Sequence, residues 1–276
     1  MTGDMAQPPA RDSKWSGLGL RVVTGALLAP PILFALYAGP PYSDVLLAVL
    51  AGIAAWEWAR LCRGGTWDLS VSVAIASTVL SIAIAALGAP AVAAWLLAAG
   101  TMAVLLIAAR SESQANAAWA GLSVAYIGPA FLAFQWLRGA GDEGFWTILW
   151  LVMLVWATDV GAYFAGRQIG GPKLLPAVSP KKTWAGLIGG MLAAAGIGAT
   201  FAYAQSGPVA AIAMASAALA IIAQLGDLFE SGLKRRFGVK DSSALIPGHG
   251  GLLDRVDGLI SVTLAYAAYR FLVTGA

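Results

Sequence analysis

The chain has 276 residues, of which 59% are hydrophobic and only 11% charged, with a formal net charge of +3. Soluble domains carry roughly 25% charged residues. This composition therefore excludes a soluble globular enzyme, a disordered chain, a disulfide-stapled secreted domain and a nucleic-acid binder. It leaves an all-α polytopic membrane protein. Cys62 is the only cysteine, so it can form neither an intrachain disulfide nor a thiolate cluster.

Residues 1–19 are polar and include Arg11 and Lys14. No small-residue cleavage site follows them, so they read as a short cytoplasmic tail before a retained first helix. A spanning helix needs about 20 apolar residues. Nine segments qualify: 20–38, 44–62, 70–88, 90–109, 116–137, 145–165, 184–204, 208–226 and 258–274. The chain thus divides into N-terminal membrane helices over 20–137 and a C-terminal catalytic region over 138–276. No strand pattern stands out. With the N-terminus in the cytoplasm, nine crossings place fifteen of the seventeen Lys and Arg residues inside, leaving only Arg138 and Arg270 outside. Such a bias is the positive-inside signature. It also puts two long loops, about 166–183 and 227–257, in the cytoplasm beside the lipid surface, where polar and lipid reactants could meet.

The first loop is preceded by Asp159, a carboxylate in an apolar span and so either partnered or functional. The run Ser179-Pro180-Lys181-Lys182-Thr183-Trp184 follows. Ser179 can cap the next helix with Pro180 at its first position. Lys181 and Lys182 would then sit in the first turn, against the helix dipole unless an anion binds there. Ordinary inside-positive lysines explain the pair equally well.

Toward the second loop, Asp227, Glu230, Ser231 and Lys234 share one face if the segment is helical. Arg235, Lys240 and Asp241 come next, then Pro247-Gly248-His249-Gly250-Gly251, then Asp254-Arg255-Val256-Asp257. Interfacial carboxylates suit Mg²⁺, which takes one or two of them together with waters and substrate phosphates. The neighbouring basic residues would balance a triphosphate, and the glycines let backbone approach phosphate. His249 is too solitary for a zinc site. An ion-pair network would share this composition, so residue order has to decide.

In order, residues 231–257 resemble the hallmark of the phosphatidate cytidylyltransferases, also called CDP-diacylglycerol synthases: S-x-x-K-R, K-D, P-G-H-G-G and D-R-x-D. Asp159-x-x-Ala162-Tyr163 and Ser179-Pro180-Lys181-Lys182-Thr183-Trp184 are similar to further family pieces, and Trp56-Glu57-Trp58 matches weakly in the N-terminal half. Ala185 departs from the acid the family often carries after K-T-W.

The resemblance implies transfer of CMP from CTP to phosphatidate with Mg²⁺ and room for a second cation. It assigns Asp227, Asp254 and Asp257 to the metal, with Asp159 a less certain fourth. It assigns Lys182, Lys234, Arg235 and Arg255 to substrate phosphates. His249 joins Lys234 and Arg255 among the catalytic candidates, ordering the loop or the leaving pyrophosphate, and Ser179, Lys181, Lys240, Asp241, Gly250 and Gly251 are candidates for binding substrate. CTP, phosphatidate and membrane lipid are the implied partners, nucleic acid is not, and a homodimer is compatible. The implied location is a bacterial inner membrane. Asp254-Arg255-Val256-Asp257-Gly258 also mimics the start of a CDP-alcohol phosphotransferase motif, but Ser261-Val262 stands where that motif needs A-R and no acid follows Asp257. A transporter would place its polar residues nearer the midplane.

Overall fold

The computed structural model describes residues 14–110, 114–248 and 250–274. The helices are α1 (Lys14–Ala38), α2 (Tyr42–Cys62), α3 (Leu69–Ala86), α4 (Pro90–Ala108), α5 (Gln114–Ala125), α6 (Ile127–Arg138) and α7 (Gly141–Gln168), followed by α8 (Trp184–Ala204), α9 (Val209–Arg236) and α10 (Leu253–Thr274). Among the described residues eight spans are long and apolar enough to cross a membrane, α5 and α6 counting as one crossing over Asn116–Arg138. The break between them falls at Tyr126, where Pro129 removes the N–H that Ala125 would need and crowds its carbonyl. Helix α1 has 25 residues and carries the shorter apolar stretch Val23–Ala38. The chain is an integral membrane protein.

Helix ends depart from the hydropathy boundaries. Helix α7 runs on to Gln168, α9 to Arg236, and α10 starts at Leu253 rather than near 258. The two cytoplasmic loops are correspondingly shorter than expected. A hairpin of β1 (Lys173–Leu175) and β2 (Ser179–Thr183) fills the first, pairing Lys173 with Thr183 and Leu175 with Ser179.

This hairpin corrects the expected cap. Thr183, not Ser179, precedes α8, and its Oγ1 accepts the Gly186 N–H at 3.0 Å. Pro180 disfavours a helical conformation at Ser179, so the chain stays extended until the apolar run opens at Trp184. Lys181 and Lys182 lie on a strand with no helix dipole to oppose, and strand alternation sends them to opposite faces. Lys181 is exposed, whereas Lys182 is half-buried.

Small residues bring α7, α8 and α9 together, as in other lipid-embedded helix pairs. A Cβ on Gly161 of α7 would stand 2.6 Å from the Gly189 carbonyl, and one on Gly190 would stand 2.8 Å from Gln224 of α9. An aromatic cluster joins the two halves of the chain. Phe229 of α9 stacks within 5.8 Å of Trp58 and Trp119 and 5.3 Å of Tyr126, and Trp58 Nε1 donates to the Trp119 carbonyl at 2.9 Å. On the opposite side, Arg138 is buried and caps the C-terminus of α1, donating to the carbonyls of Leu36 and Tyr37. One of the two outside cations thus serves a helix end, where positive charge is favoured.

Asp68 caps α3, accepting the Val71 N–H at 3.1 Å, and pairs with Arg63 at 2.7 Å. Burial pushes its carboxyl up, but the Ser70 hydroxyl, the Val71 N–H and Arg63 together hold it below its ordinary value of 3.8. Asp68→Ala should lower stability by about 1 kcal/mol. Because the folded value is depressed, this contribution is complete above the unfolded value and is lost as pH falls through the folded one. Thermal denaturation of both proteins in detergent along an acid series should show the difference closing.

Candidate active site

The ends of α2, α7 and α9 and the start of α10, all on one side of the helix bundle, build the site. Its base is Glu57, a carboxylate on α2 with 1% exposure. Glu57 Oε1 accepts the Leu252 N–H at 2.9 Å and the Ser243 hydroxyl at 2.6 Å, and Oε2 accepts the Leu253 N–H at 2.7 Å and the Ser242 hydroxyl at 3.1 Å. The first N–H groups of α10 have no intrahelical acceptor, and a carboxylate there also meets the positive end of the dipole. Glu57 therefore seats the helix carrying Asp254 and Asp257. Its signal in the sequence is a lone acid between two tryptophans, Trp56 and Trp58, in an apolar span.

Asp254 forms the next layer. Its oxygens accept from Lys234 Nζ at 2.6 Å, the Gly251 N–H at 2.9 Å and the Ser242 N–H at 3.0 Å, and the single Ser242 hydroxyl proton is shared between Asp254 Oδ2 and Glu57 Oε2, each at 3.1 Å. Only 6% of its side chain is exposed. Lys234 also lies 3.2 Å from Glu230 Oε1, one turn back on α9. Glu230 is buried, and neither of its oxygens receives a well-directed hydrogen bond.

Asp227 is more open, with 33% of its side chain exposed. It pairs with Lys182 at 2.6 Å across from β2 and accepts the Ser231 hydroxyl at 3.2 Å. Lys182 is positioned by a second bond to the Gln224 carbonyl at 3.3 Å. Asp227 is an electrostatic neighbour of both Asp159 and Asp257, and Lys182 and Arg255 attract Asp159. The close approach rests on Gly226: a Cβ there would strike the Ser261 hydroxyl and come within 3.0 Å of the Asp257 carbonyl. Asp227 and Asp257 are thereby held on adjoining faces of α9 and α10.

The remaining predicted residues separate into two groups. Lys240, Asp241, Gly250 and Arg255 line a polar pocket of about 680 Å³ beside this cluster, joined there by Ser243, which the sequence did not single out. Gly250 has φ +86° and exchanges backbone bonds with Ile246, closing the loop. The others have local roles. Arg235 is exposed and donates to the Val239 carbonyl at 3.2 Å. Ser179 and Lys181 lie on β2. Gly251 is buried, and its missing Cβ leaves room for Ser242 and the Glu57 carboxylate. His249 lies outside the described residues.

A hard divalent cation suits this donor set. The donors are carboxylate oxygens from three helices, and carboxyl groups outnumber the nearby Lys182, Lys234 and Arg255. Among the described residues no three Asp, Glu, His or Cys converge as a ready cage.

Lysine–carboxylate pairs, one enclosed and one partly open, gather at one end of the membrane helices and form a polar, charged site there. The chain belongs to the cytidylyltransferase family, whose model matches residues 19–273. It is 45% identical over 160 residues to the phosphatidate cytidylyltransferase of Brucella suis biovar 1 (strain 1330), covering 58% of each chain. It is 43% identical over 149 residues to the phosphatidate cytidylyltransferase of Staphylococcus haemolyticus (strain JCSC1435), covering 53% of this chain and 56% of that one. The match thus spans somewhat over half the length of these curated relatives.

Proposed function

We propose that the protein is a Mg²⁺-dependent phosphatidate cytidylyltransferase, making CDP-diacylglycerol and pyrophosphate from CTP and phosphatidate. The observation carrying this reading is the pair of bridges Lys182–Asp227 and Lys234–Asp254, which bring three stretches of the family-like sequence into one site. A phosphate oxygen of phosphatidate attacks the α-phosphorus of CTP as the bond to the β-phosphate oxygen breaks. That oxygen is already anionic, so the site needs no strong base and works by positioning and charge neutralisation.

Lys182 and Lys234 now neutralise carboxylates. On binding CTP they would turn to the triphosphate, leaving Asp227, Asp254 and Asp257 to hold Mg²⁺, with Asp159 nearby. Bound Mg²⁺ would offset phosphate charge as a Lewis acid. Arg255, between the acids and the polar pocket, would meet the phosphatidate phosphate. The one-sided distribution of Lys and Arg supports placing the protein in a bacterial inner (plasma) membrane.

Purified protein in detergent with labelled CTP, phosphatidate and Mg²⁺ should yield CDP-diacylglycerol and pyrophosphate. EDTA should abolish product and added Mg²⁺ restore it. Well-folded protein that forms no CDP-diacylglycerol would remove the reading, and turnover unaffected by EDTA would remove the metal from it.

A further inference from the structure

Residues 160–226 contain no Asp or Glu, and their only charges are Arg167, Lys173, Lys181 and Lys182. All four lie at the end of α7 or on the β1–β2 hairpin that follows it. Gly170 and Gly171, at φ +66° and +91°, turn the chain out of α7 into β1. The Trp184 N–H donates to the Pro172 carbonyl at 3.1 Å and closes the hairpin at its root. Strand alternation gives this small sheet two unlike faces. The inner face carries Leu174 and Lys182, both half-buried, and Lys182 reaches Asp227 at 2.6 Å. The outer face carries Lys173, Leu175 and Lys181, all exposed. Arg167 beside it is exposed and donates to the Tyr163 hydroxyl. Among the described residues Arg167, Lys173 and Lys181 pair with no carboxylate. Ile169, Leu175 and Trp184 are large, apolar and exposed among these cations.

We propose that the outer face of the hairpin binds the anionic headgroups of bilayer phosphatidylglycerol, and that this contact holds Lys182 at the reacting centre. The coupling to turnover rests on the activity proposed above. Two chemistries on one surface select the occupant. An acidic protein would match the cations but set its own polar surface against Ile169, Leu175 and Trp184. A zwitterionic bilayer would cover the apolar groups and leave three cations without counter-charge. An anionic headgroup layer satisfies both, with its charges at Arg167, Lys173 and Lys181 and its first methylenes at the apolar side chains. Because Lys182 lies on the other face of the same two strands, a hairpin pinned from outside keeps its inner face on α9. A hairpin left unpinned spends part of its time with Lys182 withdrawn. The bilayer around the protein thereby sets how much of the protein is ready to react.

Two measurements in nanodiscs test this. Ala177 is exposed at the hairpin turn, so Ala177→Cys in a Cys62→Ala background takes an environment-sensitive fluorophore there. Its emission should move to the blue when phosphatidylcholine discs are replaced by discs one-third phosphatidylglycerol, and high salt should reverse the shift. Adding Arg167→Gln and Lys173→Gln should abolish it. No shift in folded protein, or the same shift in the variant, would overturn the proposal. So would a shift with phosphatidate and none with phosphatidylglycerol at equal charge, which would make the surface part of substrate binding. Second, kcat at saturating CTP and phosphatidate should be about 5-fold higher in the phosphatidylglycerol discs. Arg167→Gln/Lys173→Gln should match wild type in phosphatidylcholine and lose that gain. Equal wild-type kcat in both discs would overturn the coupling. The fluorophore requires no turnover, so the two readings fail separately. Inactive protein with the shift would overturn the activity and keep the lipid surface; active protein without it would do the reverse.

Discussion

Asp227→Asn should lower turnover by about 100-fold, the scale of removing one electrostatic contact from a reacting centre, while leaving the fold close to wild type. Asp254→Asn should lose both. The difference follows from their surroundings. Asp227 is one-third exposed and makes one ion pair and one hydroxyl contact, so an amide of the same shape can remain there. Asp254 is almost fully enclosed and accepts from Lys234, Gly251 and Ser242 together. An amide nitrogen would face donors, and Lys234 would lose its nearest counter-charge. Breaking a buried pair from one side costs about 3–5 kcal/mol. Size-exclusion profiles and thermal denaturation in detergent, read beside labelled-CTP turnover, separate the cases. Wild-type turnover in Asp227→Asn would remove that residue from the reacting centre. Wild-type stability in Asp254→Asn would show that the Asp254 carboxylate does not hold the loop and α9 together.

Glu57→Gln should be nearly as damaging as Glu57→Ala, although Glu57 touches none of the groups assigned to substrate. Both its oxygens accept two donors each. Glutamine keeps one acceptor and turns an NH₂ toward one serine hydroxyl, which can rotate to accept, and one backbone N–H, which can only donate. Orphaned buried donors cost about 1–3 kcal/mol each, so a loss of about 2 kcal/mol for Gln and more for Ala is expected. The α10 N-terminus and the loop before it should loosen, exposing the segment around 239–251 to protease and raising the KM for CTP. Limited proteolysis, melting and CTP titration together check this. A Gln variant unchanged in all three would show that the carboxylate is replaceable by shape alone.

Much of the membrane architecture is legible in the sequence because hydropathy reports contact with lipid directly. The same signal misplaces helix ends, since α7 and α9 continue past their apolar runs into the polar site and α10 begins before its own. Hydropathy marks where lipid stops, and helices need not stop with it. The hairpin was illegible for a different reason: Ser179–Thr183 is too short for a period-two pattern, and a cap on either Ser179 or Thr183 satisfied the local rules. The motif order brought Asp227, Lys234 and Asp254 to attention. The partners chosen through packing, Lys182 for Asp227 and Glu57 for the start of α10, lie far away in the chain and could be read only from the folded molecule.

Helix α8 contains no charged residue and none of the groups assigned to substrate. It nevertheless stands between α7, which carries Asp159, and α9, which carries Asp227. Its glycines let it lie against both, and Gly189 and Gly190 leave no room for even one added methyl on either side. The helix packs closely against both neighbours, so the gap between α7 and α9 at this level depends on how near α8 can lie. Enlarging one of these glycines would leave the sequence as apolar as before and the charge map untouched, yet widen that gap. Inactivating changes should therefore gather in a segment whose chemistry looks inert, where volume rather than polarity carries the hereditary information.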